Sequence, residues 1–139
     1  AFLNIVEEPE QNLFPSSQWE MLKSLLQFKS QGPYNRLVLT THSPYIVSYL
    51  SLAVQAHQLH EKLQKLGRAD LIENLVQIVP LHAMLAPQDL AIYQSDEVVG
   101  SISALPNFEG IPSDNNALNI YLRKGNELFD QLLDLEDSI

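Results

Sequence analysis

The chain has 139 residues with 45% hydrophobic content, enough for one domain whose core buries roughly 68–70% of the unfolded surface. Eight basic against seventeen acidic residues leave a net charge of −9, which excludes a broad phosphate-contacting basic face and leaves nucleic acid to segments outside this chain. The absence of cysteine excludes disulfide frameworks and thiolate metal sites and fits a reducing, cytoplasmic setting, and no apolar run reaches the roughly 18–20 residues that span a bilayer.

Phe2-Leu3-Asn4-Ile5-Val6 is a short apolar strand that runs straight into Glu7-Glu8. Two adjacent carboxylates at a strand end repel each other, and burying either is costly without a cation or hydrogen bonds. At the carboxyl edge of a parallel sheet the same pair suits a metal ion and a water. Ala1 already stands at the edge of this strand with no signal-like segment before it, so the chain is expected to be a piece of a larger fold.

Pro15 suits the first turn of a helix. That helix is expected to run to about Ser30, with Trp19, Leu22, Leu25, Leu26 and Phe28 as its apolar face and Gln31-Gly32-Pro33 ending it. Arg36-Leu37-Val38-Leu39-Thr40 follows as a buried strand. Strand, helix and strand at this spacing predict a right-handed βαβ unit with parallel strands. Thr41-His42-Ser43-Pro44 comes next, with Ser43 as N-cap and Pro44 at the first helical position. His42 is thereby placed at the same sheet edge as Glu7 and Glu8.

The helix from Pro44 is expected to reach Leu66, its stripe formed by Tyr49, Leu52, Ala56, Leu59, Leu63 and Leu66, with Gly67 as its cap. Ala69 to Val79 forms another helix, with Leu71, Ile72, Leu75, Val76 and Val79 inward. Pro80 and Pro87 bracket a connector, and the clearest boundary falls near residue 86. Leu90 to Gln94 and Val98 to Leu105 are expected as a hairpin turning at Ser95-Asp96-Glu97. Pro106 to Asn116 is expected as loop. The last helix, about Ala117 to Leu135, should turn Leu118, Tyr121, Leu122, Leu128, Phe129, Leu132 and Leu133 inward, with Gly125 as a point of kinking or breakage.

The segment Ile5-Val6-Glu7-Glu8-Pro9-Glu10-Gln11-Asn12-Leu13-Phe14-Pro15 resembles the Walker B strand and D-loop of ABC-type ATPases of the SMC-like and OLD-like branch. Leu37-Val38-Leu39-Thr40-Thr41-His42-Ser43-Pro44 is similar to their switch, or H-loop. The two motifs come in the family's order. The resemblance implies an α/β fold: a partial P-loop NTPase-like parallel sheet flanked by helices, with a helical insertion over residues 46–86 and a strand pair plus closing helix over 87–139. It implies that Glu7 holds Mg²⁺ through water, that Glu8 is the catalytic carboxylate beside the attacking water, and that His42 contacts the γ-phosphate and senses its loss. Glu7 stands where aspartate is commoner in the wider superfamily. Glu10 falls in the D-loop, where it would cross a dimer interface; read on its own it is an acid favouring a helix N-terminus.

No G-x-x-x-x-G-K-[ST] segment and no Leu-Ser-Gly-Gly-like signature occur in the sequence. ATP and Mg²⁺ are therefore expected only in a longer protein, with a Walker A lobe and a second copy as partners, while the chain alone neither holds ATP tightly nor hydrolyses it. Two readings of other classes stand beside this one. One is a non-catalytic interaction module with a vestigial ATPase edge, docking through the helices between Pro44 and Val79. The other is a metal-dependent nuclease using Glu7, Glu8 and Glu10. His57 and His60 read as part of a helix face, His82 as isolated, and Glu127, Asp130, Asp134, Glu136 and Asp137 as a solvated acidic run.

Overall fold

Two short strands and the helix that joins them set the frame of the computed structural model, which describes residues 1–138. Strand β1 (Leu3–Glu7) pairs in parallel with β2 (Arg36–Thr40), in register from Leu3 opposite Arg36 to Glu7 opposite Thr40. Helix α1 (Pro15–Ser30) makes the crossover, as the strand–helix–strand pattern requires. Asn35 closes the far end. Its side-chain oxygen accepts from Phe2 N at 3.1 Å, and its amide donates to the carbonyl of Phe28 at 3.1 Å.

Helix α2 (Pro44–Lys65) returns across α1, and α3 (Ala69–Ile78) packs on α2. Gly67, at φ +65°, ends α2 in the left-handed conformation. Arg68 N reaches the carbonyl of Leu63 and Gly67 N that of Gln64, the paired bonds that satisfy a helix's last carbonyls. The core forms from Leu22 and Leu26 of α1, Ala53, Val54, Ala56 and Leu63 of α2, Leu75 and Val79 of α3, and Ala83 and Leu85 beyond it. Each large aliphatic side chain buried here contributes about 1.5–3 kcal/mol. The buried face of α2 keeps Ala56 and Leu63 of the expected stripe, with Tyr49 packed against the core, but is shifted around the helix elsewhere. Ile46, Ala53 and Val54 are buried, whereas Leu52 and Leu59 are each 38% exposed and Leu66 lies open.

The sheet is covered on one face only. Val6, Leu37 and Leu39 turn toward the helices and are half-buried, while Leu3, Ile5 and Val38 alternate onto an exposed face. The expectation of a fully buried β2 is corrected accordingly. Parallel strands are ordinarily covered on both faces, so this bare face is an anomaly for the fold. The architecture is mixed α/β, and its parallel sheet has two strands among the described residues.

The second half departs further from expectation. β3 (Tyr93–Asp96) and β4 (Ser101–Ala104) form the hairpin, but both are shorter than the apolar runs suggest. Val98 and Val99 donate their amides to the Asp96 side chain in the turn, which ends at Gly100. The stretch expected as loop carries a further antiparallel pair, β5 (Asn107–Phe108) with β6 (Ile111–Pro112). Helix α4 (Ala117–Glu136) is capped by Asn116, whose side-chain oxygen accepts from Asn119 N at 3.0 Å. The helix runs through Gly125 without a break. Leu118 is half-buried, but every described residue from Ile120 onward is exposed, so the apolar residues expected inward from Tyr121 on are not.

Candidate functional site

Because β1 and β2 are parallel, both chains leave the sheet at the same edge, and the residues that follow them meet there. Glu8 departs in the left-handed region, at φ +43°, a conformation that costs a residue with a side chain about 1–3 kcal/mol. Its amide is held against the carbonyl of Thr40 at 3.0 Å and the Thr40 hydroxyl at 3.2 Å. The consequence is that two consecutive carboxylates part company. Glu7 stays on the exposed face of the sheet with Leu3 and Ile5, with no side-chain hydrogen bond or ion pair among the described residues. Glu8 meets His42: its Oε1 lies 2.8 Å from His42 Nε2, the glutamate side chain 26% exposed and the imidazole 83%. The other carboxylate oxygen of Glu8 accepts from the Gln11 side chain.

Glu10 is the residue that joins the two loops. It is only 8% exposed. Its Oε1 accepts from the Thr41 hydroxyl at 2.6 Å and from the His42 amide at 2.9 Å. The Thr41 hydroxyl oxygen in turn accepts from Ser43 N at 3.0 Å. A buried carboxylate is tolerated where it is hydrogen-bonded, and these bonds satisfy one of its oxygens. The second, Oε2, is buried without a partner among the described residues. Ser43 stands at the N-cap of α2 but does not cap it. Its hydroxyl donates instead to Gln18 Oε1 at 2.6 Å, and Gln18 Nε2 donates to the carbonyl of Leu13 at 3.1 Å. The segment from Glu8 to Leu13 is thus pinned to the segment from Thr40 to Ser43 through side chains that lie about thirty residues apart in sequence.

This geometry sets what the edge can do. Backbone amides of Glu8, His42 and Ser43 are all taken by internal acceptors, so they form no cradle for a triphosphate. The exposed imidazole of His42, whose Nε2 contacts Glu8, becomes a donor to an incoming phosphate oxygen once that contact opens. Glu7 fits a hydrated Mg²⁺, which takes one or two carboxylates and keeps several waters. It fits no all-protein metal cage, since no group of three or more potential ligand side chains converges among the described residues. Glu7, Glu8 and Glu10 occupy three different environments: exposed, paired with His42, and buried. His57 and His60 lie half-buried on α2 without a third ligand beside them among those residues.

Sequence reasoning placed Glu7, Glu8 and His42 at one edge but gave Gln11, Gln18 and Thr41 no part in it. It offered Glu10 an interface or a helix terminus rather than the H-loop. The available signal was the pair of hydroxyl residues before His42, which offer donors to an acid on the neighbouring loop. No helix among the described residues is long and apolar enough to cross a membrane. No protein family, curated protein or solved structure matches the chain.

Proposed function

We propose that this chain is the hydrolytic part of an ABC-type ATPase, working in the cytoplasm when completed by a P-loop-bearing lobe and a second copy. The observation that carries it is the contact between Glu8 and His42 at the carboxyl edge of a parallel strand pair, with the His42 loop pinned by Glu10. In this reading Glu8 orients the attacking water and His42 donates to the γ-phosphate. Glu7 would hold a hydrated Mg²⁺, which when bound would supply charge neutralisation of the phosphates. At rest Glu8 holds both partners, His42 and Gln11. A phosphate that draws the imidazole away would free one carboxylate oxygen to accept from water. Nucleotide arrival would then prepare the base without moving the strands.

The test is ATP turnover in the completed protein. Glu8→Gln keeps the side chain's size and one acceptor but cannot take a proton, so it should retain ATP binding and lose turnover by about 10²–10⁴-fold. Turnover near wild type would remove Glu8 from the catalytic role. A second reading is a non-catalytic interaction module with a vestigial edge. It draws on Leu52 and Leu59, which remain more than a third exposed on α2.

A further inference from the structure

Helix α4 carries an apolar seam whose first residue, Leu118, is half-buried and whose remainder, from Tyr121 onward, its own chain leaves exposed. Leu118, Tyr121, Gly125, Leu128, Leu132 and Leu135 recur at alternating steps of three and four, the repeat of a helix that pairs with another helix. Leu122 and Phe129 flank the seam on one side. Leu128, Phe129, Leu132 and Leu135 are each more than 60% exposed. Gly125 is the informative position. A Cβ built there would meet nothing within 4 Å, so its own chain has no need of the missing side chain. Glycine costs an exposed helix interior about 1 kcal/mol relative to alanine. A gap in the middle of an apolar seam fits a partner's side chain.

We infer that α4 pairs antiparallel with α4 of a second copy of this chain. The charges select both partner and direction. Arg123 and Lys124 lie in the first half of the helix, and Glu127, Asp130, Asp134 and Glu136 in the second. Parallel pairing would align acids with acids; antiparallel pairing brings each basic pair toward the other copy's acidic half. It also sets the acids, unfavourably placed at their own helix's C-terminal end, near the positive N-terminal end of the partner. About the helix midpoint the seam is self-complementary. Leu118 faces Leu135 of the other copy, Tyr121 faces Leu132, and Gly125 faces Leu128, so the central leucine enters the gap the glycine leaves. A 20-residue helix is roughly 30 Å long. Antiparallel pairing therefore keeps the two folded bodies at opposite ends. The surface is separate from the Glu8–His42 edge and does not depend on the ATPase reading.

The full chain should be a reversible dimer by sedimentation equilibrium. Leu128→Lys should raise its dissociation constant at least about 100-fold, because the change removes two buried leucines from a symmetric interface. Far-UV circular dichroism and the Trp19 emission should show the body still folded. Ile5→Lys, on the bare sheet face, should leave the dimer mass unchanged. The chain has no native cysteine, so direction can be read by cross-linking. Mixed Leu118→Cys and Leu135→Cys chains should oxidise to the mixed disulfide. A wild-type chain that stays monomeric over the concentration range would overturn the inference. So would a dimer that survives Leu128→Lys but not Ile5→Lys, or a Leu118→Cys chain that cross-links to itself in preference to Leu135→Cys.

Discussion

Replacing Glu10 with alanine tests whether the two loops of the edge are held together by one buried carboxylate. The substitution deletes the acceptor for the Thr41 hydroxyl and for the His42 amide, at 2.6 and 2.9 Å. A hydrogen bond to a charged group contributes about 1.5–3 kcal/mol, so the gross loss is about 3–6 kcal/mol. Against this stands a relief. The unpartnered Oε2 no longer has to be desolvated, which returns about 1–3 kcal/mol. Taking the middle of each range, about 4.5 against about 2, the net destabilisation is about 2.5 kcal/mol. Glu10→Gln keeps one acceptor but puts an amide NH₂ or a weaker oxygen into the same buried space, and should fall between wild type and alanine. Urea unfolding followed through Trp19, the one tryptophan, which stacks on Tyr49, reads the difference. At a slope of about 1.5 kcal/mol per molar urea the midpoint should fall by about 1.7 M. Amide exchange at His42 should quicken in parallel. A midpoint shift below about 0.3 M, with unchanged protection at His42, would show that the edge is held by the strand pairing alone and would refute the role given to Glu10.

Two further outcomes follow from local geometry. Gly110 sits at φ +83°, and a Cβ there would lie 2.5 Å from Pro87 Cβ. Gly110→Ala therefore combines strain with overlap and should cost about 1–3 kcal/mol, lowering the melting temperature by about 3–10 °C in calorimetry; an unchanged melting temperature would mean that the β5–β6 turn moves freely off Pro87. The Tyr121 hydroxyl donates to Glu97, and that bond, with the carboxylate's charge, pushes the phenol above the ordinary tyrosine range. A pKa raised by folding means the native state holds the proton more tightly. The contact's stabilisation is therefore fully present below the unfolded value and lost as pH rises through the folded one. Ultraviolet titration should show one late tyrosine that returns to the ordinary range in Glu97→Gln. A Glu97→Gln chain with an unaltered titration curve would break that assignment.

The frame of the molecule was legible in the sequence because it rests on local rules. Apolar runs bounded by breakers gave β1 and β2, prolines at the first helical positions marked where α1 and α2 begin, and Gly67 marked where α2 ends. Parallel pairing then followed from the crossover, and with it the meeting of Glu8 and His42. The conformation of Glu8 was not legible. A left-handed residue directly before a proline opposes local preference, and it is the Thr40 carbonyl and hydroxyl, on the other strand, that hold it.

Periodicity alone determined that α2 and α4 are amphipathic; it could not decide which residues of each are covered. Apolar residues surround much of α2, so its register against α1 and α3 was set by packing, which chose Ile46, Ala53 and Val54 over Leu52 and Leu59. The seam of α4 follows from spacing, but only the tertiary structure shows that it is exposed from Tyr121 onward. Glu10 is the sharpest case. As a letter in the sequence it is one acid among seventeen. Only the tertiary structure brings Thr41 and His42, more than thirty residues away, within hydrogen-bonding distance of it. Hydrophobic period is a property of neighbours along the chain, whereas hydrogen-bond partnership is a property of neighbours in space.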